Sequence, residues 1–168
     1  MERERFENVT TKTHTPRVVL VTGGSRGIGL ACAQHFAALG DHVAVTYNSS
    51  PPPGGFFAVK CDVTNNDEIN RAFSAIEEKF GPVQVLVSNA GVTRDGLLLR
   101  MGEDDFSSVI DANLTAAYRV CKRAAQGMLR ARTGRIILMS SVVALMGSAG
   151  QANYAASKAG LVGLARSL

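Results

Sequence analysis

The sequence predicts an α/β fold, a doubly wound parallel sheet with helices on both faces. Two observations predict it. From Arg17 onward, short β-branched runs alternate with amphipathic helical stretches, a pattern that sets consecutive strands parallel with crossovers between them. Right-handed crossovers then leave few topologies. A length of 168 residues adds that the chain suits one domain with a sizeable core.

The elements follow in order. Residues 17–22 read as a buried strand, and 27–39 as a helix with Ile28, Ala31, Cys32, Phe36 and Leu39 on its apolar face. Gly40 is a natural stop. Residues 42–47 and 56–61 are the second and third strands. Only residues 48–55 lie between them, with Pro51, Pro52, Pro53, Gly54 and Gly55. That link is too short and too rich in Pro and Gly for a helix, so a tight crossover loop is expected. Residues 67–80 form a helix with Ile69, Phe73 and Ile76 inward, ended by Gly81 and Pro82. Residues 83–87 are the fourth strand. A long helical stretch runs from 103 to 130 with Phe106, Val109, Ile110 and Leu114 as its stripe. Residues 135–139 are the fifth strand, and a last helix starts near Gln151 or Asn153.

Composition narrows the function. At 46% hydrophobic and 19% charged the chain is globular. No run of about 18 apolar residues is present, which argues against a membrane span. Residues 1–16 are polar and lack the apolar stretch of a secretory leader, so they read as a flexible tail. The net charge of +4 comes from scattered Lys and Arg without a basic stripe, which argues against nucleic acid. Cys32, Cys61 and Cys121 are widely spaced and form no metal pattern with His14, His35 and His42. Reduced, mostly buried thiols in the cytoplasm are expected, and no metal.

Directly after the first strand come Gly23, Gly24, Ser25, Arg26, Gly27, Ile28 and Gly29. Glycine lets the backbone turn sharply and approach a ligand, and the following helix offers free N–H groups to a pyrophosphate. A tight strand-to-helix turn with no ligand uses the same residues. The missing P-loop lysine argues against a nucleoside-triphosphate site. The second strand ends without the acid that would bind a ribose 2′-hydroxyl. Arg26 is a partner for a 2′-phosphate, so NADP(H) is favoured over NAD. Tyr154 and Lys158 stand at i and i+4 on one helix face. A neighbouring ammonium favours the phenolate of a tyrosine and equips it for proton transfer.

Residues 22–29, Asn89-Ala90-Gly91, Asn113, Ser141 and Tyr154 with Lys158 together resemble the short-chain dehydrogenases/reductases, in order and spacing from the first strand to the last residue. Residues 150–160 are most similar to 3-oxoacyl-acyl-carrier-protein reductases of fatty acid synthesis. The Pro/Gly link and residues 87–91 are similar to the mycolic-acid-associated branch. The resemblance implies a Rossmann-like fold, with Tyr154 as general acid and Lys158 on the nicotinamide ribose. It implies Ser141 on the substrate carbonyl and Asn113 organising a proton-relaying water chain; Ser140 reads as a strand-end hydroxyl. Gly23, Ser25, Arg26, Gly27, Ile28 and Gly29 would hold the pyrophosphate side. Asn48 stands where that branch often has a basic residue. Asp62 and Val63 would meet the adenine, and Asn89, Ala90 and Gly91 the nicotinamide side.

The function implied is NADPH-dependent reduction of a 3-oxoacyl thioester on acyl carrier protein. Arg132 is a candidate carrier contact, in keeping with an acidic partner. Another carbonyl or alcohol oxidoreductase, such as a polyketide ketoreductase, shares the fold and the catalytic set. A non-catalytic nucleotide-binding fragment is the reading from another class. Family members continue beyond a point equivalent to Leu168 and assemble as dimers or tetramers. Residues 17–168 are therefore expected to be a cofactor-binding domain lacking its C-terminal part, with Leu161, Val162 and Leu164 short of cover. The isolated chain is expected to be weakly active or inactive.

Overall fold

A computed structural model describes residues 15–168; residues 1–14, most of the expected tail, lie outside the described residues. Five strands form one parallel sheet in the order β3-β2-β1-β4-β5. β1 (Val18–Val21) is central and buried along its whole length. It pairs with β2 (His42–Tyr47) through Val19↔Val43 and with β4 (Val85–Ser88) through Leu20↔Leu86. β3 (Phe57–Lys60) and β5 (Arg135–Leu138) close the two edges. The Val-rich runs favour an extended backbone that is packed on both sides. Alternation sends Val18 and Leu20 to one face and Val19 and Val21 to the other, and each face has its own core.

Residues 48–56 cross from β2 to β3 without a helix, and β3 still pairs parallel to β2 through Ala44↔Phe57. The tight crossover read from the prolines and glycines is what the structure shows. α2 (Asn66–Phe80) buries Ile69, Ala72, Phe73 and Ile76 against the Leu20 face. It starts at Asn65, whose Oδ1 accepts from Asp67 N and Glu68 N, a side-chain cap for its free donors. It ends at Gly81, where φ is +91°.

Three expectations about packing need correction. In α1 (Gly27–Ala38) the buried residues are Gly29 and Ala33, while Ile28 is 63% exposed and Ala31 and Leu39 are exposed too. The helix lies against the sheet through its small residues, which allows a close approach, and Cys32 and Phe36 flank that contact. The stretch expected as one helix from 103 to 130 is α3 (Glu103–Ile110), a π-helical turn (Asp111–Thr115) and α4 (Ala116–Ala131). Phe106 of the expected stripe is 40% exposed, because inward burial on α3 centres on Val109. Leu161 was expected to lack cover, yet it is 2% exposed. It sits in α6 (Ala152–Ser167), which packs on α3, on the π turn and on α5 (Val143–Met146).

Strand order reverses between β1 and β4, and a crevice opens beyond the carboxyl ends of strands at such a point. The glycine turn, residues 89–93 and the chain after β5 all meet there. No helix among the described residues is long and apolar enough to cross a membrane. None of their His, Cys, Asp and Glu side chains form a group of three able to hold a metal ion.

Candidate active site

The crevice is a cleft of about 450 Å³. The glycine turn contributes Arg26 and Ile28, and the loop after β4 contributes Asn89, Gly91, Val92 and Thr93. Met139 and Ser140 come from the end of β5, and Tyr154 and Lys158 from α6. Six of the residues singled out in the sequence thus line one wall-to-wall space: Arg26, Ile28, Asn89, Gly91, Tyr154 and Lys158.

The turn is built by specific contacts. Gly23 has φ +64°, and a Cβ there would stand 2.9 Å from Ala90 Cα. A Cβ on Gly29 would run into Gly23 O and Asn89 Nδ2. Thr22, at the end of β1, accepts from Asn89 N (3.0 Å) and Ala90 N (3.1 Å) through Oγ1. Asn89 Nδ2 returns bonds to Thr22 O and Gly23 O. The turn after β1 and the loop after β4 are therefore one hydrogen-bonded unit. Gly24 N donates to Thr46 O (3.0 Å), which ties the turn to the end of β2, where exposed Asn48 follows. Gly27 has φ +56° with open space around a would-be Cβ. Neither an N-cap side chain nor a first-turn acid occupies the start of α1. Its free N–H groups and dipole suit a pyrophosphate. These features fit a dinucleotide, with Arg26 exposed beside them. Ser25 is partly buried within the same turn.

Asp62 and Val63 lie between β3 and α2, outside the cleft lining. Asp62 Oδ1 accepts from Thr64 N and Thr64 Oγ1, and Asp62 N donates to Glu68 Oε2 at 2.8 Å. Val63 packs on the core. Glu68 was not singled out from the sequence. Its signal was the Asn65-x-x-Glu68 spacing of a capping pair, with the carboxylate reaching further back than that motif requires.

Lys158 is 5% exposed. Its Nζ donates to Met139 O at 2.7 Å and lies 5.7 Å from the Tyr154 ring centre. Among the described residues no carboxylate pairs with it, and burial lowers its pKa from the usual lysine value. Ser140 lines the cleft, but its hydroxyl donates to Lys158 O at 2.8 Å. The Ser141 hydroxyl accepts a long bond from Val143 N, 3.3 Å. Its own proton has no acceptor among the described residues. The Tyr154 hydroxyl likewise has no partner among them.

Asn113 is 1% exposed and sits in the π turn. Its Nδ2 donates to Val92 O and to Ser157 Oγ, both at 3.0 Å, and its Oδ1 accepts from Val92 N at 2.7 Å. Gly91 makes this possible: a Cβ there would meet Asn113 Oδ1 at 2.9 Å and Lys158 Nζ at 3.7 Å. A Cβ on Gly160 would strike Leu114 Cδ2 at 2.5 Å, so glycine lets α6 approach the π turn. Ser157, absent from the sequence reading, joins Asn113 to Tyr154 by donating to Tyr154 O at 2.8 Å. Arg132 lies away from the cleft at the C-terminal end of α4, with φ +52°.

The chain matches the short chain dehydrogenase family over residues 17–168. It is 58% identical over 152 residues to the 3-oxoacyl-[acyl-carrier-protein] reductase MabA of Mycobacterium avium, covering 90% of this chain and 60% of that protein. It is 44% identical over 160 residues to the 3-oxoacyl-[acyl-carrier-protein] reductase FabG of Vibrio cholerae, covering 90% of this chain and 66% of the relative. A Synechocystis 3-oxoacyl-[acyl-carrier-protein] reductase is 43% identical over 166 residues, covering 92% and 67%. The chain thus spans about 60% of the length of the MabA relatives it matches.

Proposed function

The chain belongs to the short chain dehydrogenase family, and from that membership we propose that it carries the cofactor site and the catalytic set of an NADPH-dependent reductase. The reaction is reduction of a 3-oxoacyl thioester on acyl carrier protein to the 3-hydroxyacyl form in fatty acid synthesis. One observation carries this reading: Tyr154 and Lys158 line the same cleft as the start of α1 and the glycine turn. The names of the relatives support the substrate. The domain spans residues 17–168, after a short tail.

NADPH, when bound, supplies the hydride. Gly23, Ser25, Arg26, Gly27, Ile28 and Gly29 hold its pyrophosphate and 2′-phosphate side, assisted by Asn48. Asp62 and Val63 meet the adenine, and Asn89, Ala90 and Gly91 the nicotinamide side. Tyr154 gives its proton to the substrate oxygen as negative charge develops there. Lys158 holds the ribose hydroxyls and places a cation beside the phenol. Ser141 is the hydroxyl with a free proton, and it donates to the substrate carbonyl. Asn113 braces Val92 and Ser157 beside Lys158, the position from which a water chain refills the lysine's proton.

The acidic carrier docks on the basic side that includes Arg132. Exposed Tyr118 and Leu129 on α4 support assembly as a homodimer or homotetramer, and free thiols at Cys32, Cys61 and Cys121 are compatible with the cytoplasm. Titration by nicotinamide fluorescence tests the cofactor assignment. NADPH binds more tightly than NADH, and Arg26→Ala removes the difference. Tighter NADH binding overturns the Arg26 argument. Incubation with NADPH and an acetoacetyl-carrier thioester tests the substrate, read as the two-hydrogen mass gain of the acyl group.

A further inference from the structure

Tyr154 lies in the first turn of α6, where backbone N–H groups have no partner inside the helix. The residue before the helix, Gln151, supplies no side-chain cap. The Tyr154 N–H is instead taken by Asn153 Oδ1 at 2.7 Å. Asn153 is fully buried, 0% exposed. Its Nδ2 donates to two carbonyls on two other elements: Arg94 O, in the loop after β4, at 2.8 Å and Asp105 O, in α3, at 3.1 Å. Both amide protons and the amide oxygen are thus engaged. Neighbouring contacts run the same way. Gly96 N donates to Gly150 O (2.8 Å), and Gln151 Nε2 donates to Asp95 Oδ2 (3.0 Å).

The loop that Asn153 holds continues from Gly91, Val92 and Thr93, which line the cleft together with Tyr154. Three elements therefore converge on one side chain adjacent in sequence to the proposed acid. Only a primary amide does this, because the site needs two donors and one acceptor on a short stem. Aspartate has the shape without the donors, and glutamine adds a methylene that a fully buried site has no room for.

We propose that Asn153 is a positioning residue: it fixes the first turn of α6 against the loop 91–95 and so sets where the Tyr154 hydroxyl stands in the cleft. The proposal rests on the reductase reading for its kinetic consequence and on the hydrogen bonds alone for its structural one. A displacement of about 1 Å at a reacting group lowers turnover by about a hundredfold. Removing the amide therefore acts on kcat through Tyr154. None of the hydrogen bonds of Asn153 goes to the glycine turn, which would bind most of the cofactor.

The test uses Asn153→Ala and Asn153→Asp beside the unaltered protein. Expected in both variants is a fall in kcat of about tenfold to a hundredfold, with the NADPH Kd within about threefold of the unaltered value, a change of less than 1 kcal/mol. Unchanged kcat in folded Asn153→Ala overturns the proposal, as does a loss confined to NADPH binding. Amide hydrogen exchange on the unaltered protein needs neither activity nor a folded variant. The Tyr154 amide should be protected despite its first-turn position, and should lose that protection in Asn153→Ala if the variant folds. Rapid exchange at Tyr154 in the unaltered protein also overturns it. If that protein reduces no thioester, the exchange result alone decides the role of Asn153; if it also binds no NADPH, the reductase reading fails.

Discussion

Replacing Thr22 by valine isolates the clamp that joins the two loops of the cleft. Thr22 is 2% exposed, and its Oγ1 is the acceptor for two backbone donors, Asn89 N and Ala90 N. Valine keeps the shape and removes the acceptor, leaving both donors unpaired. Each buried donor without a partner costs about 1–3 kcal/mol. The added methyl returns about 1 kcal/mol of apolar burial. The expected net loss for Thr22→Val is about 1–5 kcal/mol, reaching the upper end of what a single substitution does. Thr22→Ser keeps the acceptor and loses one methyl, about 1 kcal/mol. Urea unfolding followed by circular dichroism gives both midpoints, and equal slopes establish that stability alone has changed. In the valine variant, loosening of residues 89–91 should also weaken NADPH binding. Equal destabilisation by serine and valine would show that the Thr22 hydroxyl does not hold the two loops together.

Further outcomes follow from the same geometry. Gly29→Ala drives a Cβ into Gly23 O and Asn89 Nδ2, so NADPH fluorescence titration should show binding weakened by at least about tenfold, roughly 1.4 kcal/mol; an unchanged Kd would remove the turn from the cofactor site. Lys158 is buried and its pKa is lowered by that burial, so the unfolded chain binds the proton more tightly and folding stability rises with pH toward the ordinary lysine value. Cys61 and Cys121, each pushed up to about 11 by burial, act in the opposite direction above the ordinary thiol value. The comparison is therefore with Lys158→Met, which carries the same cysteines. The unaltered protein should gain on that variant in urea midpoint as pH climbs from 7 toward 10, and parallel curves would contradict the assignment. Arg132→Gly removes a side chain from a left-handed position and should stabilise by about 1 kcal/mol. It should also raise KM for the carrier-borne thioester and leave KM for the coenzyme A thioester unchanged; equal effects on the two would exclude a carrier contact.

The five strands, the helix-free crossover and the inward face of α2 were legible because each rests on a local signal: β-branched runs, the Pro51–Gly55 composition and the spacing of Ile69, Phe73 and Ile76. The apolar spacing in α1 pointed to Ile28 and Leu39. Close packing there is decided by where the backbone can approach, at Gly29 and Ala33, leaving Ile28 at the cleft. The π turn has no periodic signature. It shows only once Ala116 N is seen bonding to Asp111 O, five residues back. The candidate site was legible in its residue types, and six of its members line one cleft. Its bracing was not. Asn153 and Ser157 act through hydrogen bonds to groups far away in the chain or to backbone atoms, and a single sequence carries no mark of those. The Ser140 and Ser141 pair shows the same limit: the spacing to Tyr154 selects Ser141, and the structure adds that the Ser140 hydroxyl is already held by Lys158 O.

The proposed chemistry is reduction of a carbonyl in this cleft with Tyr154 as the acid. Its most direct test is NADPH oxidation with acetoacetyl-coenzyme A, followed at the nicotinamide absorbance for the chain and for Tyr154→Phe at matched concentration. The expected result is a low rate above background in the chain, no rate in the phenylalanine variant, and NADPH affinity retained in both. Equal oxidation rates in the two proteins would contradict it.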